Sequence, residues 1–242
     1  MATMNILETR GLTKVYGGIF ANKNINFSLT NGKITALIGP NGAGKSTFVG
    51  MVVGRTKATS GQTIFDGQDV SGLPAHKRIK LGIAYTFQIT SVFAGLSVYE
   101  NVALATRGSF RGAETAVEKK VNAALGRVQL LDRAEQIASD LSYGHQRLLE
   151  IAMGLAQNPK LFILDEPTQG LAETEIANFI KLIISLAGQT TILLIEHNMK
   201  VVMKVADFIT VLDQGGILAT GTPNEISKNT TVQNTYLGKP DV

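Results

Sequence analysis

The stretch Gly39-Pro40-Asn41-Gly42-Ala43-Gly44-Lys45-Ser46-Thr47 decides the reading of this chain. Through Ser46 it fits the spacing G-x-x-x-x-G-K-[ST]. Glycines let successive backbone N–H groups turn inward around an anion. Upstream, Lys33 to Ile38 is an apolar run bounded by glycine, which predicts a buried strand. Downstream, Lys45 to Gly54 predicts a helix, whose N-terminal donors and positive dipole end face the same anion. Lys45 adds a positive charge at the β and γ phosphates of a nucleotide, and Ser46 offers a hydroxyl to Mg²⁺. Strand, glycine loop and helix in this order are the context that such chemistry requires.

Two further stretches gain meaning beside it. Leu161-Phe162-Ile163-Leu164-Asp165-Glu166 is an apolar strand ending in two carboxylates. A buried strand delivers such groups to the carboxyl edge of a sheet, where α/β proteins bind ligands. Asp165 is placed to hold the Mg²⁺ shell. Glu166 is placed to take a proton from an attacking water, work worth roughly 10²–10⁴-fold in rate. Without the phosphate loop, a strand-end acid pair equally fits a turn. Leu141-Ser142-Tyr143-Gly144-His145 precedes a helix running to about Gln157. Ser142 and Gly144 at its mouth make a second anion site; taken alone, Ser142 reads as an ordinary N-cap.

Along the rest of the chain the first third reads as short strands and turns, with strands at Asn24 to Leu29 and Gln62 to Phe65 and a turn at Asp66-Gly67. Pro74 is placed to open a helix at its first position. Gly82 to Phe87 predicts a strand. From about Ser97 to Asn158 the pattern is mostly helical, with 3.6-residue spacing in Ala113 to Leu131. Strands then alternate with helices: strand Leu161 to Leu164, helix Glu173 to Leu186, strand Thr190 to Ile195, helix Asn198 to Val205, strand Phe208 to Leu212. A turn at Gln214 to Gly216, a short strand and a helix from Pro223 follow. Such alternation implies an α/β fold with a mainly parallel sheet covered on both faces. The helical block reads as a subdomain inserted into it.

Composition narrows the function. With 44% hydrophobic and 17% charged residues, the 242-residue chain is that of a folded core. A formal charge of +4, with no long basic stripe, argues against nucleic acid as a partner. The densest basic stretch, Lys77, Arg78 and Lys80, reads as a solvated helix face. There is no cysteine, so neither a disulfide framework nor a cysteine-ligated zinc is available. No apolar run approaches the roughly 20 residues that span a bilayer, and the first ten residues lack a signal-peptide core. The expectation is a chain soluble by itself, whose membrane role comes through a partner.

Taken as an ordered set, these residues resemble the ABC ATPase family over about Leu7 to Leu237. The family's aromatic loop, Walker A, glutamine loop, signature, Walker B and switch histidine match Tyr16, Gly39–Ser46, Gln88, Leu141–His145, Leu161–Glu166 and His197. The resemblance implies a P-loop NTPase core, an N-terminal antiparallel β-subdomain, and one ATPase domain over residues 5–238 with a helical signature subdomain at 89–158. It implies that Tyr16 stacks on adenine and that Gln88 reaches Mg²⁺ or the attacking water while linking to a membrane partner. His197 would touch the γ-phosphate and steady Glu166. Ser46, Gln88 and Asp165 would serve Mg²⁺, and Ser142, Tyr143, Gly144 and His145 would meet ATP bound to a second ATPase subunit, in a homo- or heterodimer.

The stretches Leu141 to Ala152, Ile195 to Met203, Gly221 to Ile226 and Tyr236-Leu-Gly238 are similar to the ATPase subunits of branched-chain amino-acid and urea importers. Those work with membrane permease subunits and a solute-binding protein, on the cytoplasmic face of the inner membrane. The alternatives are an exporter motor of the lipopolysaccharide type or a soluble, non-transport ABC ATPase. The latter usually carries a long coiled-coil insertion or two tandem units, and this chain has neither. A P-loop kinase or GTPase lacks the Ser142–Gly144 element, and no Asn-Lys-x-Asp guanine motif is present. There are departures from the family pattern. Tyr143 occupies a position that is commonly Gly, where tyrosine fits the importer subgroup, His145 one that is commonly Gln, and Ala172 one that is often Asp.

Overall fold

The computed structural model describes residues 4–86 and 91–237. Among the described residues, ten strands form two sheets. β1 (Asn5–Tyr16), β2 (Ile19–Thr30), β4 (Ser60–Phe65) and β5 (Gln68–Asp69) make an antiparallel sheet in the order β2-β1-β4-β5. β3 (Ile34–Ile38), β6 (Ile83–Tyr85), β7 (Leu161–Asp165), β8 (Thr191–Ile195), β9 (Phe208–Asp213) and β10 (Gly216–Gly221) make the second, in the order β10-β9-β3-β8-β7-β6. Its pairings are parallel except for the β9–β10 hairpin. The α/β architecture, the parallel core and the antiparallel sheet near the N-terminus agree with the sequence reading.

Every residue of β3, β7 and β8 is buried. Alternate side chains leave opposite faces of a strand, so one run of apolar residues supplies two cores. Leu37, Leu161, Ile163, Leu193 and Ile195 join Phe48, Phe65 and the antiparallel sheet. Phe162, Leu164, Ile192 and Leu194 join the helices α3 (Val98–Ser109), α4 (Glu114–Arg127), α5 (Tyr143–Ala156) and α6 (Glu173–Leu186). α3, α4 and α5 also pack on one another. Gly154 lets α5 approach the sheet, since a side chain there would strike the ring of Phe162. α7 (Met199–Val205) and α8 (Pro223–Lys228) cover the β9 side of the sheet, with Val202 and Ile226 buried against Ile209 and Val211.

The first two strands are long, where the sequence pattern suggested short ones. Register shifts in the β1–β2 pairing, with Gly11 at φ 59° and Asn24 at φ 52°, break the two-residue alternation that marks a strand. Pro74 sits just before its helix, as the extended cap of α2 (Ala75–Leu81), not at the first helical position. β6 is shorter than Gly82 to Phe87: Gly82, at φ 112°, ends α2, and Phe87 lies outside the described residues.

Arg78 corrects the sequence reading of a solvated basic face. Lys77 and Lys80 are exposed, but Arg78 is only 3% exposed. Its guanidinium donates to the carbonyls of Met51 (2.8 Å), Val52 (2.7 Å), Leu73 (2.9 Å) and Ser71 (3.1 Å). Met51 and Val52 end α1 (Lys45–Val52), so the buried cation sits at the negative end of that helix dipole. The opposite end of α1 is bare: its cap, Gly44, has no side chain to accept from the first-turn N–H groups, and no acid lies in that turn. Phe48 of α1 then packs edge-on against Phe27 of β2, 5.2 Å between centroids. Replacing Arg78 by Met is expected to lower unfolding stability by about 2–4 kcal/mol, because it strands carbonyls that lost water on folding; chemical denaturation checks this.

Candidate active site

The loop from Gly39 to Gly44 runs from the end of β3 to the start of α1. Glycine is required at both ends for steric reasons. A Cβ at Gly39 would overlap the Leu212 carbonyl, and one at Gly44, at φ 98°, would overlap the Ala21 carbonyl. Ala43 is buried, whereas Asn41 and Gly42 are exposed and Pro40 is partly so. Lys45 is 7% exposed, and its Nζ donates to the carbonyls of Gly39 (2.7 Å) and Pro40 (3.0 Å). Burial lowers its pKa, and the charges of Glu166 and Asp165 oppose that shift. Ser46 is exposed and Thr47 half-buried on the first turn.

β7 brings the acid pair to this edge. Asp165, 6% exposed, accepts from the Tyr85 hydroxyl at Oδ2 (2.7 Å), and its N–H donates to Thr86 Oγ1 (3.3 Å). Burial raises its pKa above the ordinary carboxylate value; the Tyr85 hydrogen bond works against this, and Lys45 and Arg147 also draw it down. Glu166 adopts φ 47°, a left-handed conformation uncommon outside glycine. Its N–H is held by the Ile195 carbonyl (2.9 Å), and its carbonyl accepts from Gln169 N–H (3.2 Å). This turn brings Glu166 Oε1 within 2.9 Å of His197 Nε2. A strained backbone that aims a carboxylate at an imidazole is the kind of outlier associated with function.

His197 follows β8 through Glu196, to which the sequence reading assigned no role. Glu196 is 3% exposed and accepts from Thr168 N–H (2.9 Å), Thr168 Oγ1 (2.6 Å), His197 N–H (3.1 Å) and Asn198 N–H (3.2 Å). One buried carboxylate thus fixes the loops after β7 and β8 together. Asn198 caps α7, accepting from the N–H groups of Lys200 and Val201.

Tyr16 lies at the β1–β2 turn with half its surface exposed, and Lys14 Nζ stands 4.7 Å from its ring centroid. The hairpin is tied to the phosphate loop through Gly215: Lys23 N–H donates to the Gly215 carbonyl (2.8 Å), and Gly215 N–H to the Ala43 carbonyl (3.1 Å). Gln88 lies outside the described residues.

The signature stretch stands apart from this cluster. Ser142 and Tyr143 are exposed, Gly144 is buried and His145 partly so. Ser142 caps α5 by accepting from His145 N–H (3.3 Å), and its Oγ lies 2.7 Å from His145 Nδ1. Both readings of Ser142 fit this geometry, since a capping hydroxyl at an exposed helix N-terminus is also an anion ligand. Among the described residues, no hydrogen bond joins Ser142–His145 to Gly39–Ser46. Ala172 is exposed before α6, and its N–H donates to Glu175 Oε2 (2.8 Å).

Ser46 and Asp165 offer hard oxygen donors, and the described residues hold no cluster of three or more His, Asp or Glu side chains suited to a metal. That donor set fits Mg²⁺, which completes its shell from phosphates and water, better than a metal needing an all-protein cage.

Comparison with known proteins bears on this arrangement. The sequence profile of the ABC transporter family matches residues 22–169. The chain is 38% identical, over 97% of its length and 98% of the relative's, to the high-affinity branched-chain amino acid transport ATP-binding protein LivG of Escherichia coli K12. Its fold superposes on the ADP conformation of MJ1267, an ATP-binding cassette of an ABC transporter, with a TM-score of 0.88 at 29% identity, covering 98% of this chain and 100% of the other. The dimeric post-hydrolysis structure of the cassette MJ0796, bound to ADP and Pi, gives a TM-score of 0.81 at 26% identity, covering 90% and 98%.

Proposed function

The chain belongs to the ABC transporter family, and on that premise we propose that it is the motor of an importer for branched-chain amino acids, one of two cassettes seated on membrane permeases. It is an ATP-binding and ATP-hydrolysing subunit. Among the described residues no helix is long and apolar enough to cross a membrane. Attachment at the inner membrane's cytoplasmic face then runs through permease subunits, with a solute-binding protein delivering cargo from the far side. Residues 5–238 act as one ATPase unit, of which 89–158 form the signature subdomain.

The observation that carries the reading of the reaction is the convergence of Lys45, Asp165, Glu166 and His197 at the ends of three neighbouring strands. In the proposed reaction the N–H groups of Gly42 to Thr47 surround the β and γ phosphates, and Tyr16 stacks on the adenine. Lys45 exchanges its two carbonyl partners for phosphate oxygens, a charge-assisted and stronger bond. Ser46, Asp165 and Gln88 would hold Mg²⁺, which would offset the charge of the phosphates. Glu166 takes the proton of the attacking water. His197, already on Glu166, fixes its orientation and meets the γ-phosphate.

Ser142, Tyr143, Gly144 and His145 act on the ATP of a second cassette. The exposed Ser142 hydroxyl at the N-terminus of α5, which among the described residues makes no hydrogen bond to its own phosphate loop, supports this reading, as does the dimeric cassette of the relative. ATP then bridges two chains, and its hydrolysis removes the shared ligand and weakens the interface. The importer reading rests on the similarity to LivG over the whole chain.

Lys45→Ala is expected to weaken ATP binding by about 10–100-fold, the equivalent of a charged hydrogen bond of roughly 1.5–3 kcal/mol, as read by calorimetry. Glu166→Gln is expected to keep ATP affinity while turnover falls by about 10²–10⁴-fold and closed dimers accumulate in light scattering; wild-type turnover would reject Glu166 as the base. Deleting the chain from its source cell is expected to abolish high-affinity uptake of labelled leucine, isoleucine and valine, restored by the wild-type chain and not by Glu166→Gln. Unchanged uptake would overturn the importer assignment.

A further inference from the structure

Tyr85 is the last residue of β6 and pairs with Ile163 of the parallel β7. Asp165 lies two residues beyond Ile163, on the same face of its strand. The phenol therefore reaches along the sheet edge, and its hydroxyl donates to Asp165 Oδ2 at 2.7 Å. A phenol is protonated at neutral pH, and against a carboxylate oxygen it can only donate. The Arg55 guanidinium lies 5.9 Å from the ring centroid. The ring also walls a cavity of about 120 Å³ together with Arg55, Arg78, Ile79 and Gln157.

A carboxylate on a mobile torsion presents its two oxygens interchangeably. Here one oxygen is taken by a fixed phenol, and the strand end itself is pinned by the bond to Thr86. The second oxygen is what remains for a cation. We propose that Tyr85 is a positioning residue for the divalent metal: it holds one oxygen of Asp165 so that the other is presented in a single orientation. Partners of this kind fix metal-ligating groups and tune them without touching the metal. The inference rests on the reading of Asp165 as part of the Mg²⁺ shell. Nothing in the sequence alone set Tyr85 beside Asp165, because 80 residues separate them.

The test uses the full chain loaded with AMP-PNP, with Mn²⁺ as the metal and its binding followed by electron paramagnetic resonance. Tyr85→Phe keeps the ring and removes the hydroxyl. It is expected to raise the half-saturating Mn²⁺ concentration about tenfold, the low end for loss of such a partner, while AMP-PNP affinity in EDTA and the melting temperature stay near wild type. Asp165→Asn is expected to raise it further, and adding Tyr85→Phe to Asp165→Asn is expected to change it little. Unchanged Mn²⁺ binding in Tyr85→Phe, with Asp165→Asn shifted, would make Tyr85 a strut between strands and overturn the proposal alone. Unchanged Mn²⁺ binding in Asp165→Asn would overturn the reading of Asp165, and the proposal with it.

Discussion

The arrangement depends on β8 lying between β3 and β7, with all three strands running the same way. Parallel pairing forces their carboxyl ends to one edge. The phosphate loop leaves β3, the acid pair leaves β7, and Glu196 and His197 leave β8. Because each of these strands is buried throughout, its register is set by both cores at once. A slip by one residue would exchange Phe162 and Leu164 with Ile163 and disturb both faces. The chemistry is therefore positioned by apolar packing on either side of the sheet, well away from the reacting groups.

At that edge, charge is gathered before any ligand arrives. Burial disfavours the charged forms of both Lys45 and Asp165, and each group stabilises the other's ionised form. Backbone groups complete the arrangement, because two carbonyls hold the ammonium and N–H groups fix the carboxylate of Glu196. The α1 helix has the same division of labour. Arg78 satisfies its C-terminal carbonyls, and Gly44 leaves its N-terminal donors available to an anion. Preorganised dipoles of this kind cost no reorganisation when phosphate charge enters.

Lys45, Ser46, Asp165 and Glu166 were legible because each sits at a fixed offset from an apolar run, and a strand or helix end is a local feature. The ordered set of motifs likewise survives in a linear string. Tyr85, Glu196 and Arg78 were not legible, for a common reason. Their partners lie 80, 28 and 27 residues away, and a polar residue near a turn reads as solvated until those partners are known. Arg78 shows this best, since its neighbours Lys77 and Lys80 are exposed as expected. β1 was hidden differently: its bulges near Gly11 break the alternation on which strand reading depends.

The first turn of α5 meets the loop after Glu166 at one point and the first turn of α6 at another. The ring of Tyr143 fills the space a side chain at Gly170 would need, and the Glu175 carboxylate occupies the space beside Gly144. Glu175 also accepts from Ala172 N–H, while Thr168 at the other end is bound to Glu196. The segment from Gln169 to Ala172 is thus held between the signature helix and the Glu166–His197 pair. Interiors packed to this density transmit small displacements because they have no slack to absorb them. Ala172, lacking a side-chain oxygen, adds no side-chain cap of its own to α6, and the Glu175 carboxylate takes up its N–H instead.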